Sequence, residues 1–145
     1  MMISTRGRYA LRMMADLALQ EKGKYIALKD IADRQNISKK YLEQIIPILN
    51  RAGLLQTVRG FQGGYRLSRE PDEYTVGEIL RSTEGSLSPV ACLADGSNEC
   101  PEREHCLTLP LWMGLKKTVD DYLDGITLQD LIDMYNKSGA ENYVI

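Results

Sequence analysis

The chain has 145 residues, 43% hydrophobic and 26% charged, which is ordinary for one small globular domain. No apolar run approaches the ~18 residues that a membrane span needs, and the first residues lack the apolar core of a signal peptide, so we expect a cytoplasmic protein without membrane contact. The net charge of −2 hides an asymmetry, because residues 1–69 contain 13 Lys and Arg against 5 Asp and Glu. That basic half suits a polyanion such as nucleic acid.

Apolar residues recur at helical spacing from Tyr9 to about Lys22, which predicts a first amphipathic helix. The segment LKDIADRQNI repeats the pattern and predicts a short second helix that ends near Asn36. Ser38 is suited to cap a third helix, with apolar residues on either side spaced for a hydrophobic staple. The third helix should therefore begin at Lys39.

The third predicted helix has one apolar stripe, formed by Leu42, Ile45, Ile46 and Leu49. Pro47 interrupts this pattern. Inside a helix a proline removes a hydrogen bond and costs about 3 kcal/mol, so we predict a kink or an early end there.

A β-hairpin is predicted after Gly53, where LLQTVRGFQGGYRLSRE alternates apolar and polar residues around a glycine-rich turn. Two short helices joined by a tight turn and followed by a basic hairpin have the order of a winged helix-turn-helix. The predicted fold class is mainly α with a small β-hairpin. The alternative is an α+β fold that does not contact DNA.

The second half of the sequence predicts a short helix over Val76–Ser82, a long loop over Gly85–Cys106 and a long helix from Leu107. The long helix has an apolar face that needs a cover, and a second copy of the chain is the simplest one. A short helix capped by Thr127 and a weakly packed tail, AENYVI, complete the chain. The residues predicted to make the dimer contact are Leu111, Trp112, Leu115, Val119 and Tyr122.

Three regions follow from this organisation. Residues 1–84 form the predicted winged helix-turn-helix DNA-binding domain, residues 85–106 a cysteine-containing loop, and residues 107–145 the dimerisation helix and C-terminal tail.

The loop contains all three cysteines, Cys92, Cys100 and Cys106, and the only histidine, His105. An odd number of cysteines in one loop is a poor disulfide framework. Their spacing is too wide for a zinc site of the Cys-x-x-Cys kind and favours a loop wrapped around something larger. Thiolates are the usual ligands of iron-sulfur clusters, and three of them leave one position to fill. Zinc, or thiols that sense oxidants directly, are the alternatives.

Several segments together resemble the Rrf2 family of bacterial transcription regulators over nearly the whole chain: STRGRYALRMM, LKDIADRQNISKKYLEQI, LNRAGLL, VRGFQGGYRL, VGEILRSTEG and CLTLPLW. The resemblance implies a dimer with a winged helix-turn-helix and a long crossing helix. Three cysteines before that helix resemble the branch that regulates iron-sulfur biogenesis and binds a [2Fe-2S] cluster. The LSPV stretch and the ENYVI ending are similar to the family's cysteine-metabolism repressors, which lack this cysteine loop.

The resemblance leaves the fourth cluster ligand open. In the cluster-binding branch a histidine three residues after the last cysteine completes the set, and here that position is Leu109. In a nitric-oxide-sensing branch the ligand is an acid on the partner's first helix, where this chain has Arg8. His105 is the leading candidate; the alternatives are solvent, a small thiol, a partner-chain residue, Asp95, Glu99, Glu102 and Glu104.

The motif match also supplies the residues expected to read DNA, namely Ser38, Lys39, Lys40, Tyr41, Glu43 and Gln44. Gln44 can pair with adenine and Glu43 can accept from the cytosine amino group, whereas the two lysines suit phosphate or guanine. In cluster-binding relatives a glutamate matching Glu43 is implicated in choosing between two classes of DNA site. This resemblance implies the same role here.

The hairpin and the first helix carry further candidates. Arg59 at the hairpin tip is predicted to enter the minor groove, or else to contact a phosphate. Three glycines beside it allow close backbone approach: Gly60, Gly63 and Gly64. Three arginines near the start of the first helix are candidates for holding phosphates: Arg6, Arg8 and Arg12.

Taken together, these features predict a dimeric DNA-binding repressor or activator that senses iron-sulfur status and controls iron-sulfur biogenesis or cysteine-metabolism genes. Iron-sulfur assembly proteins are further candidate partners. One alternative is a cysteine-metabolism repressor without a cluster; another is an iron-sulfur carrier or electron-transfer module. An enzyme is not expected, because no nucleophile-base pair or phosphate-cradling loop is found.

Overall fold

A computed structural model describes residues 3–94 and 103–143 of the chain. Single 3₁₀ turns lie at Pro71–Glu73, Ala91–Leu93 and Arg103–His105. The helices and strands, in chain order, are α1 (Thr5–Ala18), α2 (Leu28–Gln35), α3 (Lys39–Arg51), β1 (Leu55–Val58), β2 (Gly64–Leu67), α4 (Val76–Glu84), α5 (Leu109–Asp124) and α6 (Leu128–Tyr143). The predicted class, mainly α with a small hairpin, is confirmed.

The apolar faces of α1, α2 and α3 close over one core, and the hairpin covers its edge. Burying a large apolar side chain is worth about 1.5–3 kcal/mol. This core is therefore the main source of stability for the part of the chain formed by α1–α4 and the hairpin, which we call the head. Leu128 enters the same core from α6 and is fully buried. The largest buried side chains of the three helices are Met13, Met14, Ile31, Leu42, Ile45 and Leu49.

The turn between α2 and α3 lies where the sequence predicts it. Asn36 ends α2 in the left-handed region at φ 53°, a conformation that asparagine tolerates better than most residues. The Ser38 hydroxyl then accepts from the backbone N–H of Tyr41 at 3.3 Å, so Ser38 caps α3 as predicted.

Three boundaries differ from the predictions. The early end at Pro47 is wrong, since α3 continues to Arg51. Pro47 is exposed, so water can satisfy the backbone carbonyl that the proline leaves without an amide partner. The first helix begins at Thr5, where the Ser4 hydroxyl accepts from Gly7 N–H at 3.1 Å and caps it. At the other end the helix that was predicted to be short is longer, because α6 runs on to Tyr143, while the weak packing of the last residues stays a prediction.

The hairpin is tied to the helices by a third extended segment. β1 and β2 pair antiparallel, with Leu55 opposite Leu67 and Val58 opposite Gly64. The backbone of Ile26 then pairs with Tyr65 through two hydrogen bonds of 2.9 Å. A Cβ at Gly64 would collide with the Ile26 carbonyl, so glycine is needed for this close approach.

Tyr74 joins the hairpin to the α3 end of the core. Its ring is fully buried. The hydroxyl donates to the Leu54 carbonyl at 2.8 Å and accepts from the N–H groups of Ser68 and Arg69 at 2.8 and 3.0 Å. A single side-chain oxygen thus bonds backbone groups on both sides of the hairpin, before β1 and after β2.

Replacing Tyr74 with phenylalanine should lower the free energy of unfolding by about 1–3 kcal/mol, because Leu54 and the two amides lose their buried partner. Urea denaturation measures the change. Tyr135→Phe is the matched control, since Tyr135 on α6 is 70% exposed. Equal stability of the two variants would contradict the structural role of the Tyr74 hydroxyl.

A second, smaller core joins α4 to α5. Val76, Leu80 and Leu87 are buried there, with Leu123 of α5 packed against them. None of the described helices is long and apolar enough to span a bilayer.

Candidate nucleic-acid interface and cysteine segment

The outward face of α3 presents the predicted base-reading side chains. Ser38, Lys39, Lys40, Glu43 and Gln44 are all exposed, on the side away from the buried apolar stripe. The ammonium groups of both lysines are without a partner among the described residues. This surface therefore offers two uncompensated cations beside an acceptor and an amide, a set that can contact phosphates and base edges.

Tyr41 differs from the other candidates on α3. It is half-buried, and its ring meets the ring of Tyr9 edge to face at a centroid distance of 5.4 Å. The ring therefore packs α3 against α1, and its contribution to DNA recognition stays a prediction.

The hairpin turn exposes Arg59. Gly60 has φ 112° and its carbonyl accepts from Gly63 N–H at 2.9 Å, which closes the turn. A Cβ at Gly63 would collide with the Val58 carbonyl, so glycine is needed at this second position as well. Within residues 3–94, Arg59 is the arginine whose guanidinium has no partner among the described residues. Its charge is therefore available to an external anion.

The three arginines of α1 are held in different ways. Arg6 donates to the Thr83 carbonyl at 3.0 Å, and Arg8 donates to the Thr5 hydroxyl at 3.1 Å. Arg12 donates to the Gln35 carbonyl and stacks on the Tyr9 ring at 5.3 Å. Each thus has a contact within the chain, and the phosphate-binding role of all three stays a prediction.

A buried carboxylate on α1, which the sequence analysis did not single out, holds the end of α2 that leads into α3. Asp16 on α1 is 2% exposed and accepts from Arg34 at 2.8 and 3.0 Å and from the Gln35 side chain at 2.8 Å. The hydrogen bond that Arg34 donates to Asp16 raises the pKa of Arg34. The carboxylate thereby fixes the last turn of α2, directly before the turn into α3. The sequence signal was an acid within the apolar stripe of α1, between Met14 and Leu17.

Two cysteines belong to the described residues, Cys92 and Cys106. Both lie in the segment between α4 and α5, residues 85–108, which we call the cysteine segment. Cys92 is half-buried in the 3₁₀ turn Ala91–Leu93, which packs against α5. Cys106 is half-buried just before α5, with its sulfur 3.5 Å from the Thr108 hydroxyl. That hydroxyl also accepts from the Trp112 indole at 3.1 Å. Either group can be the donor in the contact between this hydroxyl and the sulfur, and hydrogen bonds to sulfur are among the features that adjust iron-sulfur sites.

The remaining metal candidates are only partly described. His105 and Glu104 are exposed, and Leu109 is the first residue of α5. Cys100 lies outside the described residues, as do three of the acids: Asp95, Glu99 and Glu102. The described part of the chain contains no group of three or more His, Cys, Asp or Glu side chains placed to hold a metal. The three-cysteine site thus stays a prediction.

Both flanks of the cysteine segment are tied to the head. Glu84, at the end of α4, accepts from both the backbone N–H and the hydroxyl of Ser4 at the start of α1. A side chain on Gly7 would collide with that carboxylate, so the contact needs glycine in α1. The chain leaves α4 at Gly85, with φ 79°, directly after this contact.

A charged cluster ties α5 to α4. Arg81 donates to Asp124 at 2.5 Å and to Asp120 at 2.8 Å, and Lys116 donates to Asp120 at 2.7 Å. The hydrogen bond to Asp124 is the main reason that the pKa of Arg81 is raised, while the bond from Lys116 is the main reason that the pKa of Asp120 is lowered. Movement of α5 relative to α4 therefore requires these bonds to break or shift.

The predicted dimer residues lie along α5 in the described chain. Leu111, Leu115 and Tyr122 are 62%, 41% and 64% exposed, and Trp112 and Val119 are half-buried. A single chain thus leaves much of this apolar face in water. The second copy that would cover it stays a prediction.

Comparison with known proteins identifies the type of protein. The family model for Rrf2, described as an iron-dependent transcriptional regulator, matches residues 3–134. The chain is 40% identical to the HTH-type transcriptional regulator IscR of Aliivibrio salmonicida, over 91% of this chain and 77% of the relative.

Two solved structures have a fold similar to that of this chain, with equal TM-scores. CymR, the global cysteine regulator of B. subtilis, superposes with a TM-score of 0.75 at 41% identity, covering 92% of this chain and 98% of that one. IscR of T. potens gives a TM-score of 0.75 at 38% identity, covering 95% and 90%. These relatives are transcriptional regulators, which confirms the prediction that the chain is not an enzyme. The chain belongs to the Rrf2 family of transcriptional regulators.

Proposed function

We propose that this chain is a cytoplasmic, homodimeric, sequence-specific DNA-binding regulator that holds an iron-sulfur cluster, of the [2Fe-2S] type, on Cys92, Cys100 and Cys106. It senses iron-sulfur status and controls genes of iron-sulfur biogenesis or cysteine metabolism. The observation that carries the proposal is the position of the cysteine segment between α4 and α5, since both of its flanks are tied to structures that position the DNA-binding surface.

The donor set fits such a cluster chemically. Three thiolates are the ligand type that iron-sulfur clusters prefer, and the hydroxyl of Thr108 lies beside one of the sulfurs. When bound, a cluster would have a net charge that depends on its redox state. Whether the cluster is intact would depend on the supply of iron. On the protein side, Glu84 is the residue through which the segment meets the start of α1, close to Arg6 and Arg8.

The DNA-binding part rests on the exposed cations of α3 and of the hairpin tip. Lys39, Lys40 and Arg59 are exposed cations without a partner among the described residues. The two lysines lie on α3, the proposed recognition helix, and Arg59 lies on the hairpin, the proposed wing. The homodimer is supported by the exposed apolar side chains of α5, because a two-fold partner would remove them from water.

Purification without oxygen tests the cluster. We expect a coloured protein containing iron and sulfide in equal amounts, and loss of both in the serine variants of Cys92, Cys100 and Cys106. Leu107→Ser is the matched control, because Leu107 adjoins Cys106, is 97% exposed and leaves all three thiols in place. His105→Ala shows whether this histidine is the fourth ligand. Colourless protein with stoichiometric zinc would overturn the proposal.

A second candidate is a CymR-type cysteine-metabolism repressor without a cluster. The observation in its favour is that CymR of B. subtilis is as similar in fold to this chain as the T. potens IscR. Titration of the two forms, with cluster and without, against a duplex selected by the protein from a random pool separates the candidates. If the two forms differ in DNA affinity or in preferred sequence, the cluster switch is supported. If their titrations overlap and the metal-free protein binds DNA, the second candidate is supported.

A further inference from the structure

The hairpin tip carries an apolar side chain that the DNA-binding surface described above does not use. Phe61 is the only phenylalanine of the sequence and is fully exposed. Burying a side chain of this size is worth about 1.5–3 kcal/mol, so an exposed position forgoes a large stabilisation. A polar residue would serve an ordinary surface turn better. Single exposed apolar side chains are common on protein surfaces, so the charge and the backbone around the ring, and not its exposure alone, indicate the kind of partner.

Hydrogen bonds hold the backbone of the turn from which this ring projects. Gly60 precedes it at φ 112°, and Gly63 closes the turn with a 2.9 Å bond to the Gly60 carbonyl. On the helix side, the Thr57 hydroxyl of β1 lies 3.1 Å from the Asn50 side-chain oxygen at the end of α3. Together with the Ile26 pairing, these bonds hold the tip at a set distance from the recognition helix, so the cost of ordering the tip on binding is small.

The charge around the ring selects the partner. Residues 55–68 contain Arg59 and Arg66 and no Asp or Glu, so the tip is a cationic surface with one aromatic ring at its end. Arg66 is held by Gln56 at 2.7 Å and by the Gly23 carbonyl at 2.9 Å, which leaves Arg59 as the cation beside the ring. A polyanion with an apolar interior matches this pairing. Duplex DNA is such a partner, with phosphates outside and stacked bases within.

We infer that Phe61 is a wedge that enters the minor groove beside Arg59 and partly unstacks one base step in each half-site. Apolar side chains of this kind open base steps and kink the duplex, and the flexible TA and CA/TG steps yield most easily. The wing then selects for a deformable step as well as for a narrow groove. This inference rests on the proposed DNA-binding function and adds a sequence preference to it.

The test uses a duplex selected from a random pool by the full-length protein, with 2-aminopurine placed at successive steps of the wing-contacted region. We expect wild-type protein to raise the fluorescence at one step, because unstacking removes the quenching by neighbouring bases. Phe61→Ala should abolish this rise and bind about tenfold more weakly, within the range of base–aromatic stacking. Phe61→Trp should keep both properties.

The controls separate the wedge from other causes. Gln62→Ala alters the next exposed residue of the same turn and should behave as wild type. Because Phe61 lies wholly in solvent, Phe61→Ala should melt at the same temperature as wild type. If Phe61→Ala retains affinity and the fluorescence rise, or changes only self-association, the wedge is wrong. If wild-type protein selects no sequence at all, the DNA-binding proposal itself fails.

Discussion

Arg59→Ala should weaken binding to a selected operator duplex by about a hundredfold at fixed salt. An arginine that contacts DNA contributes about 1–3 kcal/mol, and a homodimer loses the contact in both half-sites. Arg59 has no partner among the described residues, so its removal leaves no buried group unsatisfied and should not affect folding. A mobility-shift titration with matched thermal unfolding measures both effects. Unchanged affinity would refute the assignment.

Arg59→Lys distinguishes the two ways in which this residue can act. A lysine keeps the charge and can replace a phosphate contact, whereas it is more strongly hydrated than arginine and a poorer fit to a narrow groove. Near wild-type affinity for the lysine variant would indicate a phosphate contact. Loss of the preference for A·T-rich flanks would indicate entry into the minor groove. Lys137→Ala on α6 is the charge control, because it lies in the acidic half of the chain.

The parts of the fold that the sequence predicts well depend on neighbours in the chain. The Ser38 cap and the end of α2 near Asn36 depend on only a few consecutive residues, and both occur where expected. Gly60 and Gly63 of the hairpin turn act locally too. These features locate the recognition helix and the wing, which is why most of the DNA-facing candidates are exposed as expected.

The parts that the sequence does not predict depend on residues far apart in the chain. The start of α1 was placed too late because Arg6 and Gly7 carry no apolar periodicity; Gly7 is buried only because Glu84 lies over it. The extension of α6 runs through Gly139, whose helix propensity is about 1 kcal/mol worse than that of alanine, so propensity indicates an end there. Local spacing in the sequence indicates neither the contact between Gly7 and Glu84 nor the continuation of α6 through Gly139.

The cysteine segment shows the same limit for the site. Sequence spacing supplies three sulfurs and a histidine, but the residues that connect the segment to the head are Ser4, Glu84 and Arg81. All three lie in segments that resemble the family, but nothing in the local pattern assigns them this contact. Their role follows from contacts made across about 80 and 40 positions of sequence. The proposed coupling between a ligand in the segment and the DNA surface therefore depends on contacts of the folded chain and not on a local motif.

The buried carboxylate of Asp16 gives the second large effect. Asp16→Asn should lower the free energy of unfolding by about 2 kcal/mol, because an amide cannot accept from Arg34 and Gln35 together as the carboxylate does. Breaking a fully buried ion pair costs about 3–5 kcal/mol, and the loss here is smaller because the Arg34 side chain is 40% exposed and can be rehydrated. Asp33→Asn, an exposed carboxylate on α2, is the matched control.

Operator affinity should fall in Asp16→Asn even where the variant is fully folded, since Arg34 and Gln35 directly precede the turn that sets the direction of α3. Hydrogen exchange should show faster opening of the α2–α3 turn, while exchange in α5 stays as in wild type. The combination with Arg34→Met tests the cause, because the two changes should be less than additive if they remove one interaction. Full additivity, or wild-type affinity of folded Asp16→Asn, would show that the carboxylate does not position the recognition helix.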